Sequence, residues 1–342
     1  ETDALLKASQ ASLVVRAGLE GLERDAGGPT AAPNSPITGR AAREGGPPAL
    51  LLYTSGTTGR PKGVPLGHLN LLANINALAR AWSWTADDRV LHMLPAHHFH
   101  GLVLALYGSL VRGSEVVMLE RFDPRLALDT VAAVGVTMVM AVPTMYARML
   151  AAAEPGDDIS GLRLALCGSA PLQPSLWQGF KERFGVELVE RYGLSETGIV
   201  ASNDIDWPAP GTVGRPLDGM RVAIATPAGY AEFGSGDAGG GAVPASGDGD
   251  AGATSRGPSG EICVAGPSVT EGYDRDPEAT AAAIRDGFFH TGDLGRFDPS
   301  GRLVIEGRLK ELIIVGGANV APAEVENALA GVEGVKELAA AG

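Results

Sequence analysis

Ala49-Leu50-Leu51-Leu52-Tyr53-Thr54-Ser55-Gly56-Thr57-Thr58-Gly59-Arg60-Pro61-Lys62-Gly63 runs from an apolar segment into a loop dense in hydroxyls and glycines. The first five residues read as a buried strand. Glycines let backbone N–H groups approach phosphate oxygens closely, the hydroxyls add donors, and Lys62 adds a positive charge. Thr54, Ser55, Gly56, Thr57, Thr58, Gly59 and Lys62 are therefore candidate nucleotide-phosphate ligands. The loop is not of the Walker A type, because Lys62 precedes Gly63 rather than Ser or Thr and the glycine spacing differs.

Working outward, residues 66–82 place Leu69, Leu72, Ile75, Leu78 and Ala79 at helical spacing. Strand-like runs stand at residues 12–15, 89–94, 115–119, 137–142, 164–167 and 186–189, separated in several places by helical stretches such as residues 125–134 and 143–153. That alternation predicts α/β layers with a largely parallel sheet. Residues 239–258 shift to Gly, Asp, Ser and Ala, from which no core can be built, so they read as a flexible surface insertion. Beyond them, short strands at 261–264, 302–306 and 312–315 predict a smaller β-rich region, and a last helix at 323–329 opens on Pro322.

Three later segments carry further chemistry. Arg191-Tyr192-Gly193-Leu194-Ser195-Glu196-Thr197 brings a carboxylate, suited to Mg²⁺ at a triphosphate, next to an aromatic face suited to adenine. A surface glutamate and a packed tyrosine are the plainer readings. Gly168-Ser169-Ala170-Pro171 follows a strand and suits a backbone lining a purine; Phe289-His290-Thr291-Gly292-Asp293 and Gly307-Arg308-Leu309-Lys310-Glu311 complete the set. Together, and in this order, these strings resemble the adenylate-forming superfamily of acyl-CoA synthetases, adenylation domains and luciferases. The resemblance runs over residues 50–329 and implies ATP, Mg²⁺ and CoA as cofactors. It implies catalytic roles for Thr54, Lys62, Glu196 and His98. Around the nucleotide it implies Gly168, Ser169, Ala170, Tyr192, Gly193, Ser195, Glu196, Thr197, Asp293 at the ribose and Arg308 at the ribose and α-phosphate. Glu196 is the implied metal ligand, and Lys310 the hinge of a small C-terminal domain. On this resemblance residues 1–309 form the large AMP-binding domain, lacking its N-terminal portion, and residues 310–342 the hinge and the truncated start of the small domain.

Leu94-Pro95-Ala96-His97-His98-Phe99-His100-Gly101 clusters three histidines with no other Cys or His at ligand spacing, so a metal reading is weak. The resemblance puts His98 beside the reacting carboxylate and His100 in the acyl pocket. Arg191, with Arg148 in a helical stretch, resembles the arginine pair with which malonyl-CoA synthetases hold a distal carboxylate. A solvated Arg148, and Arg191 paired to Glu190 or Glu187, remain open beside that reading. The implied activity is activation of malonate or methylmalonate to an acyl-adenylate and then to a thioester with CoA. A general fatty or aromatic acyl-CoA ligase, or an adenylation domain loading an acyl carrier protein, is the alternative. A kinase and a non-catalytic nucleotide module are the other classes the loop allows.

Composition sets the outer limits. Hydrophobic residues make up 45% of 342, which is globular composition. A net charge of −13 argues against broad nucleic-acid or anionic-membrane contact, though not against an anionic ligand held by local donors. Two cysteines give no disulfide framework, which fits a reducing, cytoplasmic setting. The longest apolar stretch, residues 131–142, falls short of the about 18 residues a membrane span needs.

Overall fold

The computed structural model describes residues 13–16, 48–54, 61–234, 257–315, 318–320, 322–329 and 340. In chain order it begins with β1 (Leu13–Arg16) and the hairpin β2 (Leu50–Thr54) and β3 (Lys62–Leu66), then α1 (His68–Ala81) and β4 (Arg89–His92). A π-helix (His100–Gly108) runs into one α-turn (Ser109–Arg112), followed by β5 (Glu115–Met118), α2 (Pro124–Val134) and β6 (Met138–Ala141). Next come α3 (Pro143–Ala151), β7 (Leu164–Cys167), α4 (Pro174–Phe184), β8 (Leu188–Leu194), β9 (Gly198–Ser202) and β10 (Arg215–Pro216). Strands β1-β5-β4-β6-β7-β8-β9-β10 form one sheet in that order. Its five inner strands, β5 to β8, are parallel; β1 at one edge and β9 and β10 at the other run antiparallel.

Both faces of that sheet are covered, which is why its strands read as unbroken apolar runs. On β6, Met138 and Met140 point into one core while Val139 and Ala141 point into the other. On β7, Leu164 and Leu166 divide from Ala165 and Cys167 in the same way. The first core packs under α1 and the π-helix, the second under α2, α3 and α4. Each helix has a local reason to start and stop. Asp123 caps α2 by accepting from the N–H of Leu126 at 2.9 Å, Pro124 fits the first turn, and Gly135 closes the helix in the left-handed conformation.

The remaining strands build a β-rich unit: β11 (Arg221–Thr226), β12 (Gly229–Gly234), β13 (Gly260–Ala265), β14 (Ile284–Arg285), β15 (Phe288–Phe297) and β16 (Leu303–Arg308), with α5 (Pro277–Ala283) before β14. They form an antiparallel sheet, β12-β11-β13-β15-β14, with β16 also on β15. A 3₁₀ turn (Leu309–Glu311), β17 (Ile313–Val315), β18 (Ala318–Val320) and α6 (Pro322–Leu329) follow. Among the described residues no helix is long and apolar enough to cross a membrane.

The expected α/β layering and parallel centre are present, with differences at two places. The strand at residues 49–53 is not buried: it pairs only with β3, and Leu51 and Tyr53 are 36% and 68% exposed while Leu52 is buried. An apolar run reads alike in a two-sided and a one-sided strand, and only pairing decides between them. Leu69, assigned by spacing to the apolar face of α1, is exposed. Residues 239–256 of the expected insertion lie outside the described residues, as do Ser55, Gly56, Thr57, Thr58 and Gly59.

Candidate active site

A cavity of about 980 Å³ opens between the C-terminal ends of the parallel strands and the β-rich unit. That is where a parallel sheet commonly leaves a ligand crevice. Thr54 and Lys62, the two ends of the loop, are cross-strand partners in the β2–β3 hairpin and both reach the cavity. Lys62 Nζ stands 4.7 Å from the centre of the Tyr273 ring, and the Tyr273 hydroxyl donates to Oε1 of Glu196 at 3.1 Å. Glu196 is buried at the turn from β8 to β9. Burial, followed by Glu196, pushes the Tyr273 phenol upward, so it stays a donor. Sequence reasoning missed Tyr273; no local motif marks it, since it enters the site only through folding.

The opposite wall comes from β15 and β16. Asp293, buried, accepts from the Tyr192 hydroxyl at 2.7 Å and pairs with Arg308 Nε at 3.0 Å. Burial raises the Asp293 carboxyl, with Tyr192 and Arg308 opposing. The Tyr192 ring packs against the first core with its hydroxyl spent on Asp293. Thr197 also turns inward: its hydroxyl accepts from Leu194 N–H and donates to the Gly198 carbonyl, holding the turn that presents Ser195 and Glu196. Arg308 and Lys310 are exposed at the rim.

The floor is the informative part. Arg191 on β8 is 4% exposed, and among the described residues no carboxylate pairs with it. Alternation along β8 sends Glu190 to the other side of the sheet, where it accepts from Gly211 N–H at 3.2 Å, and Glu187 pairs with Lys181 instead. Among the described residues Arg191 has one weak side-chain hydrogen-bond contact, Nη2 to Ser169 Oγ at 3.4 Å, and its buried Nε has no partner. Burial pulls the guanidinium down to about 10, so it remains a cation at neutral pH. His100, at the first position of the π-helix, lies on the same serine at 3.4 Å through Nδ1, and its buried Nε2 also lacks a partner. Burial, then Arg191 and His92, depress His100 well below the usual imidazole range, so the ring is neutral.

Ser169 holds this pair from a left-handed backbone, φ 71°, a conformation a serine seldom adopts. Gly168 beside it has no room for a side chain, because an added Cβ would sit 2.7 Å from the Arg191 guanidinium carbon. Gly168 thus serves as a platform for the arginine, while Ala170 is exposed and outside the cavity lining. His98 reaches the cavity mouth from an exposed position, with its ring 4.2 Å from that of His97. Arg148 is a correction. It lies on the exposed side of α3 over the Phe122 ring at 4.8 Å and does not line the cavity. The resemblance put it beside Arg191 at the distal carboxylate, but the helix turns it outward.

The cavity carries five Lys or Arg side chains against three Asp or Glu, the reverse of the whole chain's balance. Cationic and hydroxyl donors therefore face a cavity large enough for a nucleotide. The family profile described as AMP-binding enzyme matches residues 5–274. The chain belongs to the AMP-binding enzyme family. It is 38% identical over 300 residues to a long-chain-fatty-acid–CoA ligase of Bacillus subtilis, covering 86% of this chain and 50% of that one. It is 40% identical over 301 residues to a sulfoacetate–CoA ligase of Cupriavidus necator, covering 86% and 54%. Among solved structures, a malonyl-CoA ligase in a ternary product complex with methylmalonyl-CoA and AMP superposes with a TM-score of 0.67 at 38% identity, covering 85% of this chain and 60% of that one. The chain thus spans about half the length of the curated relatives it matches.

Proposed function

We propose that the protein carrying this chain activates a short dicarboxylic acid, malonate or methylmalonate, with ATP and transfers the acyl group to CoA. The observation that carries the choice of acid is Arg191, a buried cation with an unpartnered Nε beside a neutral histidine with an unpartnered Nε2. A buried cation without a counter-charge is costly, so the group that completes it is anionic and belongs to the ligand. Relatives and neighbours whose names carry sulfoacetate and methylmalonyl-CoA handle acids with an anionic group besides the reacting carboxyl.

In the first step the reacting carboxylate attacks the α-phosphate of ATP and pyrophosphate leaves, forming a mixed anhydride with AMP. In the second the CoA thiol attacks the acyl carbon and AMP departs. The chain's part is chiefly to position and to neutralise charge. Lys62 and the loop from Thr54 serve the phosphates, Asp293 and Arg308 the ribose edge, and Gly193 and Ser195 the base side. Arg191 and His100 fix the distal carboxylate, and His98 lies nearer the reacting one. Asp293 must trade its present partners, Tyr192 and Arg308, for ribose hydroxyls. Glu196 fits Mg²⁺, a hard oxygen donor held in place by Tyr273; that ion takes few protein ligands and would supply charge neutralisation at the phosphates.

ATP–pyrophosphate exchange across a panel of acids tests this reading in the full-length enzyme. Malonate or methylmalonate should lead the panel, and Arg191→Ala should nearly abolish their turnover while sparing butyrate. A wild-type preference for octanoate or benzoate would sink the dicarboxylate reading.

A further inference from the structure

The β-rich wall holds a constellation that the proposed reaction does not use. Cys263 on β13 and His290 on β15 are cross-strand partners, and Glu261 lies two residues before Cys263 on the same strand. One donor atom from each falls within 4.8 Å of the others. His290 Nδ1 is 2.8 Å from Glu261 Oε2 and 3.4 Å from Cys263 Sγ. The cluster is enclosed: Cys263 is fully buried and the His290 side chain is 7% exposed.

Counting protons shows what is missing. The Tyr230 hydroxyl has one proton and donates it to Asp286 Oδ2 at 3.1 Å, since a carboxylate only accepts. Toward His290 Nε2, also 3.1 Å away, Tyr230 must therefore accept, which puts the imidazole proton on Nε2. Nδ1 is then left presenting a lone pair to a carboxylate oxygen at 2.8 Å. Two lone pairs at that distance need a positive charge between them, either a second proton or a metal ion. Arg285 approaches the same oxygen only to 3.7 Å, from the flank.

The sulfur favours the ion. With a proton on Nδ1, Cys263 only packs against Ala223 and Phe288 with its thiol toward the Glu261 carbonyl at 3.6 Å, whereas a dication balanced by one thiolate and one carboxylate uses all three donors and leaves the buried cluster with no net charge. The spacing suits it as well. Around tetrahedral zinc, S to N and N to O separations are about 3.5 and 3.3 Å; here they are 3.4 and 2.8 Å, with all three donor atoms within 4.8 Å of one another, so the carboxylate must draw back from the imidazole by about half an ångström and turn toward the sulfur. The outer partners are already in place. Tyr230 accepts from the far ring nitrogen, and Gly292 N–H donates to Glu261 Oε1 at 3.0 Å, the kind of support that orients metal ligands.

We propose that Glu261 Oε2, Cys263 Sγ and His290 Nδ1 bind one thiophilic divalent cation of the zinc class, with a fourth position open to the cavity. Glu261 and His290 both line that cavity. Binding forms the metal–sulfur bond and releases the thiol proton to solvent. Without the ion, burial and then Glu261 push that thiol up to about 12. The ion would clamp β13 to β15, the strand that carries Asp293.

Cobalt(II) titration of the metal-free protein tests the site. One equivalent should bring an intense thiolate-to-cobalt charge-transfer band that zinc bleaches. Cys263→Ser should lose the band, and Cys167→Ser should keep it, those two cysteines being all the chain has. Zinc should raise the Tm of the wild type and leave that of Cys263→Ser unmoved. If Cys263→Ser does not fold, His290→Asn supplies the same comparison, with at least a tenfold loss of affinity expected. No band in folded wild type, or equal zinc affinity in wild type and His290→Asn, would mean that a proton alone occupies the position.

Discussion

The two walls of the cavity differ in how their polar groups are satisfied. On the β-rich side most groups have a partner: Asp293 with Tyr192 and Arg308, and Thr291 with the Ile262 carbonyl. On the floor supplied by β8 and the π-helix, Arg191 and His100 each bury a nitrogen that has none among the described residues. A satisfied group binds a ligand by exchanging partners, for little net gain. An unsatisfied buried group recovers its whole desolvation cost when the ligand arrives. Affinity for the nucleotide should therefore spread over many contacts, whereas discrimination among acids should concentrate on two residues.

The sharpest way to break this contrast is Arg191→Ala. It should lower kcat/KM for malonate by about 30- to 5,000-fold, the cost of leaving a substrate charge unpaired. An equal loss with butyrate would show that Arg191 serves the nucleotide or the fold. Gly168→Ala tests the platform beneath it. The added methyl meets the end of a flexible side chain, so the protein should fold with its arginine displaced and malonate kcat/KM down by about 100-fold. Unchanged malonate kinetics would show that the guanidinium position is not critical. On the satisfied side, Glu196→Gln removes one charge from a shared network and should slow adenylation about tenfold or more. Activity near wild type would remove Glu196 from the metal role.

The last test concerns stability. Burial pushes Glu190 from 4.5 up to about 7. Between these values the unfolded chain has lost a proton that the folded protein keeps. Stability from this group is therefore full below pH 4.5 and falls as pH rises to about 7, by up to about 3 kcal/mol. Urea unfolding of Glu190→Gln across this range should show a shallower decline than the wild type. Parallel profiles would mean that the carboxyl titrates normally.

The sequence by itself determined the family and the layered architecture. Motif strings and the period of apolar runs are local properties, and they survive without coordinates. It also singled out Arg191, Glu196 and Asp293, all of which the fold brings to one cavity. Tertiary structure decided which neighbours each residue has. Arg148 and Arg191 are indistinguishable as letters, yet a helix face sends one to solvent over Phe122 and a parallel strand buries the other. Tyr273 reaches Glu196 across 77 positions, and His290 meets Glu261 across 29 through strand pairing. Glu190, like Glu187, stood open in the sequence as an ion-pair partner of Arg191, but successive residues of a strand face opposite ways and Glu187 pairs with Lys181. Whether a charge is satisfied depends on what packs around it from distant parts of the chain, and no local pattern records that.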